Sequence, residues 1–174
     1  LDSEVTILDL ATNSVQNAVF DVSDINGKTI LDTNATFTVK DSATTLAANT
    51  NAISGKAVVI EDTNNTAATV AELNAIQAVA SSVTYTKLRD SSANIRANVN
   101  NSGSITDVEG KAVEVTTAST AAHFSAILTA ATANGAAGTV AGAVADAGSN
   151  LTEVTLTGAT SVTATISNAN DLTA

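Results

Sequence analysis

Gly55-Lys56-Ala57-Val58-Val59-Ile60-Glu61-Asp62 opens the stretch that decides the fold, and three further segments complete it: Thr69-Val70-Ala71-Glu72-Leu73-Asn74-Ala75-Ile76, Val83-Thr84-Tyr85-Thr86-Lys87-Leu88-Arg89-Asp90 and Ser91-Ser92-Ala93-Asn94-Ile95-Arg96. Val58 and Ile60 stand two apart, the spacing that puts both on one face of a strand. Thr69 followed by Glu72 is a capping box, so a helix starts there. Val83 to Asp90 reads as a second strand, and Ser91 to Arg96 as a short helical turn. Residues 55–96 thus hold one full repeat, made of two halves that each carry a strand and a helix or turn.

The rest of the chain carries degenerate copies of these halves. One half centres on Asp, with an apolar residue two before it and another five after: Val39, Asp41 and Leu46; Leu88, Asp90 and Ile95; Val144, Asp146 and Leu151. The other half opens on Gly-Lys, at Gly27-Lys28, Gly55-Lys56 and Gly110-Lys111. The helix Thr69 to Ile76 has a counterpart in Thr120-Ala121-Ala122-His123-Phe124-Ser125-Ala126-Ile127, where Phe124, Ile127, Leu128 and Ala131 form one apolar stripe. Gly135 and Gly138 end that helix. Phe37/Val39 and Val113/Val115 repeat the strand spacing. A last copy, Gly158 to Leu172, keeps only a strand at Ser161 to Ile166. Equivalent points recur 49 to 56 residues apart, so each half is about 25 residues, the size of one solenoid coil. Residues 1–34 are less regular. Phe20-Asp21-Val22-Ser23-Asp24 aligns with Phe37-Thr38-Val39-Lys40-Asp41 only 17 residues away, a spacing that predicts strand-only coils or hairpins with no helix between.

The expected fold is an α/β repeat: an elongated β/α solenoid with mostly parallel stacked strands and short helices. It forms one repeat-built domain over 1–174, with an irregular strand-rich start at 1–34 and alternating half-repeats over 35–174. The composition agrees with thin, closely stacked layers. Hydrophobic residues are 44%, aromatics only 2%, and Cys, Met, Pro and Trp are absent. Without Cys there is no disulfide stapling. A net charge of -10 repels nucleic acid and anionic lipid, and no apolar run is long enough for membrane insertion. The chain opens on Leu1, which reads as an internal start, so a segment of a longer chain is expected.

The candidate chemistry is sparse. Asp41, Asp90 and Asp146 recur once per repeat and admit two roles. Each caps the helical turn that follows it, or together they bind calcium, which takes six to eight oxygens. Asp24 lies in Asp24-Ile25-Asn26-Gly27, like the middle of an EF-hand loop. There, however, Val22 holds the first ligand position and Thr33 the twelfth, so a turn is the plainer role. Asp62, beside Glu61, is a further candidate cation ligand. Gly27-Lys28-Thr29 resembles the end of a phosphate loop, but the required earlier Gly is replaced by Val22, which leaves a turn entering a strand. His123, the single histidine, sits beside an apolar stripe with no nucleophile partner defined. Tyr85 suits packing. Four Asn-x-Ser/Thr sequences, at Asn34, Asn64 (with Asn65-Thr66), Asn100 and Asn150, fit the glycosylation pattern, and Asn49 and Asn98 fit helix ends.

Asp90-Ser91-Ser92-Ala93-Asn94-Ile95 and Thr69-Val70-Ala71-Glu72-Leu73-Asn74-Ala75-Ile76 resemble motifs of very long β-strand-repeat surface proteins of bacteria, notably cyanobacteria, over roughly residues 35–174. The resemblance implies an extracellular or cell-surface, type I secreted protein with a structural, adhesive or surface-layer role. It brings no catalytic residues and no cofactor, although calcium is common among such proteins. The expected partners are neighbouring repeats of the same chain, other copies, and other surface proteins or glycans. A fibre protein of a virus infecting such bacteria and a glycan- or protein-binding module are the alternatives. A solenoid polysaccharide-degrading enzyme ranks below them. It needs carboxylates and basic groups in one groove, and the seven basic residues are scattered.

Overall fold

The computed structural model describes residues 7–8, 18–30, 36–62, 67–151 and 158–167. They fall in two compact units, Leu1–Tyr85 and Thr86–Ala174. The first contains β1 (Ile7–Leu8), β2 (Ala18–Phe20), α1 (Val22–Ile25), β3 (Thr29–Ile30), β4 (Phe37–Asp41), α2 (Ala43–Ala48), α3 (Thr50–Ile53), β5 (Ala57–Ile60), α4 (Val70–Gln77) and β6 (Ser82–Thr84). The second contains β7 (Lys87–Asp90), α5 (Ser92–Ala97), β8 (Ala112–Ser119), α6 (Ala121–Ala131), a 3-10 turn (Ala133–Gly135), β9 (Thr139–Asp146), α7 (Gly148–Leu151) and β10 (Ala159–Ile166).

Each unit holds a four-stranded parallel sheet, ordered β2-β4-β5-β6 in the first and β7-β8-β9-β10 in the second. β1 and β3 make a separate parallel pair. Within each four-stranded sheet, successive strands of the chain are neighbours in space, and a short helix lies between most of them. A parallel neighbour needs a crossover, and the helical half of each repeat supplies it.

One face of each strand is buried, as the alternation requires. Phe37, Val39, Val58 and Ile60 point inward in the first unit, as do Val113, Val115, Val140 and Val144 in the second. Opposite them lie Leu46, Ile53, Leu73 and Ile76 in the first unit and Ile95, Phe124, Ile127 and Leu128 in the second. Burying each such side chain contributes about 1.5–3 kcal/mol. The stripe on α6 falls where the spacing places it, with Phe124, Ile127 and Ala131 fully buried. The box on α4 is made: Glu72 N–H donates to Thr69 Oγ1, and Thr69 N–H donates back to Glu72 Oε2 at 2.9 Å.

The three Gly-Lys pairs are one turn used three times. Lys28, Lys56 and Lys111 each donate their N–H, at 3.0 Å, to the carbonyl three residues back, on Ile25, Ile53 and Val108. Asn26 and Ser54 hold φ/ψ of -63/127 and -57/124, and Gly27 and Gly55 follow at φ 73 and 70. This is a type II turn, whose third residue demands positive φ and hence Gly. The residues that open the turn are buried anchors, 3%, 0% and 0% exposed.

Two expectations are corrected. Val83 to Asp90 is not one strand: β6 ends at Thr84 and pairs with β5, while β7 begins at Lys87 and pairs with β8. The inward positions Tyr85 and Leu88 are three apart, so the two-residue period slips between them and the strand cannot continue. A helical turn does form there, beginning inside the first Phe-x-Val-x-Asp copy. Asp21 starts the single turn α1, so only Phe20 of the first copy is in a strand, and it pairs with Val39 instead of Phe37. β2 pairs with β4 in parallel and β3 pairs with β1, so α1 does not join a hairpin. Leu172 of the last copy lies outside the described residues, and β10 covers the strand expected at 161–166.

Gly138 and Gly55 separate two reasons for glycine. A Cβ on Gly138 would lie 2.0 Å from the Ala131 carbonyl oxygen, whereas one on Gly55 would meet nothing within 4 Å. Gly55→Ala is expected to lose only the left-handed preference, about 1 kcal/mol, and Gly138→Ala about 3 kcal/mol or more, because backbone must move. Urea unfolding of both variants checks this, and equal losses would contradict it.

Candidate functional site

The recurrent aspartates are engaged with backbone donors. Oδ1 of Asp41, Asp90 and Asp146 accepts the N–H of the next residue, from Ser42, Ser91 and Ala147, at 2.7, 2.7 and 2.8 Å. The N-cap itself is the serine that follows: Ser42 Oγ accepts from Thr45 N–H, and Ser91 Oγ accepts from Asn94 N–H. Each aspartate therefore stands one residue ahead of the cap. Asp90 and Asp146 also accept from the Asn four residues on, Asn94 and Asn150, at 2.8 and 2.9 Å.

The second oxygen reaches backward to an earlier helix. Asp146 Oδ2 accepts the N–H of Ala121, the first residue of α6, at 2.9 Å, and Asp41 Oδ2 takes that of Val22, the first residue of α1, at 3.4 Å. Thr117 does the same for Ser92, the first residue of α5, through Oγ1 at 3.2 Å. The first N–H of a helix has no partner inside the helix, and here a side chain of the next strand accepts it. Register explains the recurrence. Phe20 pairs with Val39, Asp90 with Val115 and Ser119 with Val144, and in each case the donor and the acceptor lie two residues beyond that pair. Asp62 stands at the matching place two beyond Ile60, the partner of Asp41, and is half-buried. The Thr117 link depends on an irregularity in β8: Val115 faces Gly142 but Ser119 faces Val144, so Thr116 to Ala118 form a bulge. The sequence pattern marks Asp and so misses Thr117.

Asp24 accepts the N–H of Asp21 at 3.1 Å, across the first turn of α1, and Gly27 closes the type II turn, so the EF-hand-like fragment is a helical turn and a β-turn. Gly27-Lys28-Thr29 enters β3 from that turn. Among the described residues no three His, Cys, Asp or Glu side chains gather as a metal site, and no helix is long and apolar enough to cross a membrane.

His123 is half-buried on α6, with its N–H on Thr120 Oγ1, the N-cap. Tyr85 is 7% exposed, consistent with packing. Asn49 and Asn98 end α2 and α5, but with φ of -124 and -81 instead of a left-handed conformation. Their side chains tie neighbouring turns: Asn49 Oδ1 accepts from Asn26, and Asn98 donates to Asp107 at 3.0 Å. Asn100 Oδ1 accepts from Ser102 and Ser104 N–H. Asn34 and Asn64 lie outside the described residues. A shallow groove runs between the outer side of α6 and the 99–109 loop, with Arg96, Asp107, Glu109 and Asn134 on its rim. Asp107 there has φ 65, and Glu109 accepts from Asn134. The sequence marks this loop only through Asn100 and its glycosylation pattern.

Ser92 Oγ is buried without a hydrogen-bond partner among the described residues. The equivalent first helical residues Ala43 and Ala121 are alanines, equally buried. The hydroxyl is an imperfection of one copy.

No protein-family model, no curated protein and no solved structure matches the chain.

The Asp146 carboxyl is held below the usual carboxylate range, first by the Asn150 amide and then by the N–H groups of Ala121 and Ala147. A depressed folded-state value contributes stability above the unfolded-state value, near about pH 4, and that contribution is lost as the pH falls through the folded value. Asp146→Asn is therefore expected to be less stable than the parent at neutral pH, with the gap closing toward about pH 2. Urea unfolding across pH checks this, and a gap independent of pH would contradict it.

Proposed function

We propose that the chain is a non-enzymatic, extracellular structural or adhesive segment of a bacterial cell-surface or surface-layer protein. Its half-repeats stack as an elongated β/α solenoid, and 1–174 is one repeat-built region. The observation that carries this reading is the recurrence of one junction. A strand-end side chain accepts the first N–H of the preceding helix at Val22, Ser92 and Ala121. Recurrence of the Gly-Lys turn at three places supports it. A chain that repeats a junction extends a surface, which is what a spacer or lattice component needs.

The same bonds favour a backbone-bonding role over calcium for Asp41, Asp90 and Asp146, one residue ahead of the cap, since their oxygens already meet N–H donors. The acidic, cysteine-free composition suits export and a solvated surface. Self-association and contacts with other surface proteins or glycans follow as partner classes.

Small-angle X-ray scattering with thermal unfolding tests the reading. A compact domain of 174 residues has a radius of gyration of about 16 Å. A clearly larger value with a skewed distance distribution is expected, together with a melting transition unmoved by chelator. A value near about 16 Å would sink the solenoid. A chelator-induced collapse would sink the capping role. Antibody labelling of intact source cells that fails while lysates stain would sink the surface location.

A further inference from the structure

Of the four Asn-x-Ser/Thr sequences, two have their Asn among the described residues, at Asn100 and Asn150. An Asn-linked glycan is bulky and needs an exposed acceptor, and the structure separates the two on that ground. Asn150 lies in α7, and its Nδ2 donates to Asp146 Oδ1 at 2.9 Å. A sugar on that nitrogen would crowd a bond that holds Asp146.

Asn100 carries no such restraint. Residues 99–104 are all exposed. Asn100 Oδ1 accepts the N–H of Ser102 at 2.9 Å and that of Ser104 at 3.0 Å. Its backbone closes the same turn, with its N–H on the Ser104 carbonyl at 3.0 Å and its carbonyl on the Gly103 N–H at 2.9 Å. Two N–H donors fix the oxygen end of the carboxamide, so the other end is the NH2 group. That group has no hydrogen-bond partner among the described residues. The turn also sets the carboxamide against the backbone of Ser102, whose hydroxyl completes the acceptor pattern.

The loop is an addition to the repeat. Seven residues lead from the buried Leu46 to the turn anchor Ile53, and thirteen from the buried Ile95 to the anchor Val108. Added residues of a repeat lie in surface loops, where bulk disturbs no packing. Asn100 and Val99, 46% exposed, both line the groove beside α6, so a glycan on Asn100 has a surface to lie on.

We propose that Asn100 is a glycosylation site, taking an N-linked oligosaccharide from a phosphate-activated donor. Asn100 Nδ2 bonds to the anomeric carbon, the bond from that carbon to the donor's phosphate oxygen breaks, and the amide proton leaves with the phosphate product. The source cell supplies the donor and its transferase. The inference rests on the exported location proposed above.

Tryptic mass mapping of the chain recovered from the surface fraction of its source cells tests it. Cleavage after Lys and Arg puts the four sequences in separate peptides, 29–40, 57–87, 97–111 and 112–174. Peptide 97–111 is expected mostly at raised mass, and peptide-N-glycosidase should return it to the bare peptide with Asn100 converted to Asp. Asn150 should carry no glycan. Ser102→Ala, which keeps Asn100 and the backbone bonds of the turn, should bring 97–111 wholly to its unmodified mass, as should Asn100→Gln. Peptide 97–111 found only unmodified on surface-recovered chain would overturn the inference and leave the location standing. Recovery of the chain only from the cell interior would overturn both. An N-glycan that persists in Ser102→Ala, or that sits on Asn150 instead, would overturn the inference too.

Discussion

A single hydrogen bond, from the first N–H of a helix to a side chain on the next strand of its sheet, ties each helix to that strand. The helices run from 4 residues in α1 to 11 in α6, lengths at which isolated helices do not hold in water. Their apolar stripes need the sheet, and their first N–H groups need an acceptor that the helix itself lacks. Asp41, Thr117 and Asp146 provide that acceptor from the following strand. Where the acceptor is an aspartate, its other oxygen holds the N–H of the next residue and so fixes the start of its own coil. One carboxylate thus bonds backbone at the start of two helices, and strand register brings it to both.

That constraint explains the irregular parts. β8 carries its Val115–Ser119 irregularity because two demands fall on one strand: Thr117 must reach back to α5, and Ser119 must return to register so that Ala121 meets Asp146. Gly142 faces Val115 because a Cβ there would come within 2.8 Å of the Val115 carbonyl oxygen. The two extra residues of β8 and the longer α6 both lie between Asp90 and Asp146, the wider of the repeat spacings. In the first unit the same logic shortens the connection: 19 residues separate Val22 from Asp41 where 25 separate the later pairs. A single helical turn suffices there because Asp21 can start a helix immediately after Phe20.

Much of this was legible in the residues. Spacing of two found the inward faces of β4, β5 and β8, the capping box found α4, and the stripe from Phe124 to Ala131 found α6. The repeated Gly-Lys marked the turns, though not the buried Ile25, Ile53 and Val108 that anchor them. Three features escaped for physical reasons. Aligning Phe20-Asp21-Val22 with Phe37-Thr38-Val39 matched letters and ignored that Asp21 starts a helix. The period slip between Tyr85 and Leu88 is present in the sequence, but each half on its own still reads as strand. The reach of Asp146 to Ala121 depends on register, a property of the neighbouring strand that no local pattern contains. For the candidate site, the Asp positions could be read and their backbone partners could not, because those partners lie on other elements.

In the surface role proposed above, load would pass along the chain only if each helix depends on the strand that accepts its first N–H. Hydrogen exchange resolved by residue, on the parent chain and on Asp146→Ala, measures that dependence directly. The coupling predicts faster exchange at Ala121 N–H and through the first turn of α6, 25 residues upstream of the substitution, with α5 unchanged. Loss of protection confined to Ala147 and α7 would contradict it, and would reduce Asp146 to a local cap.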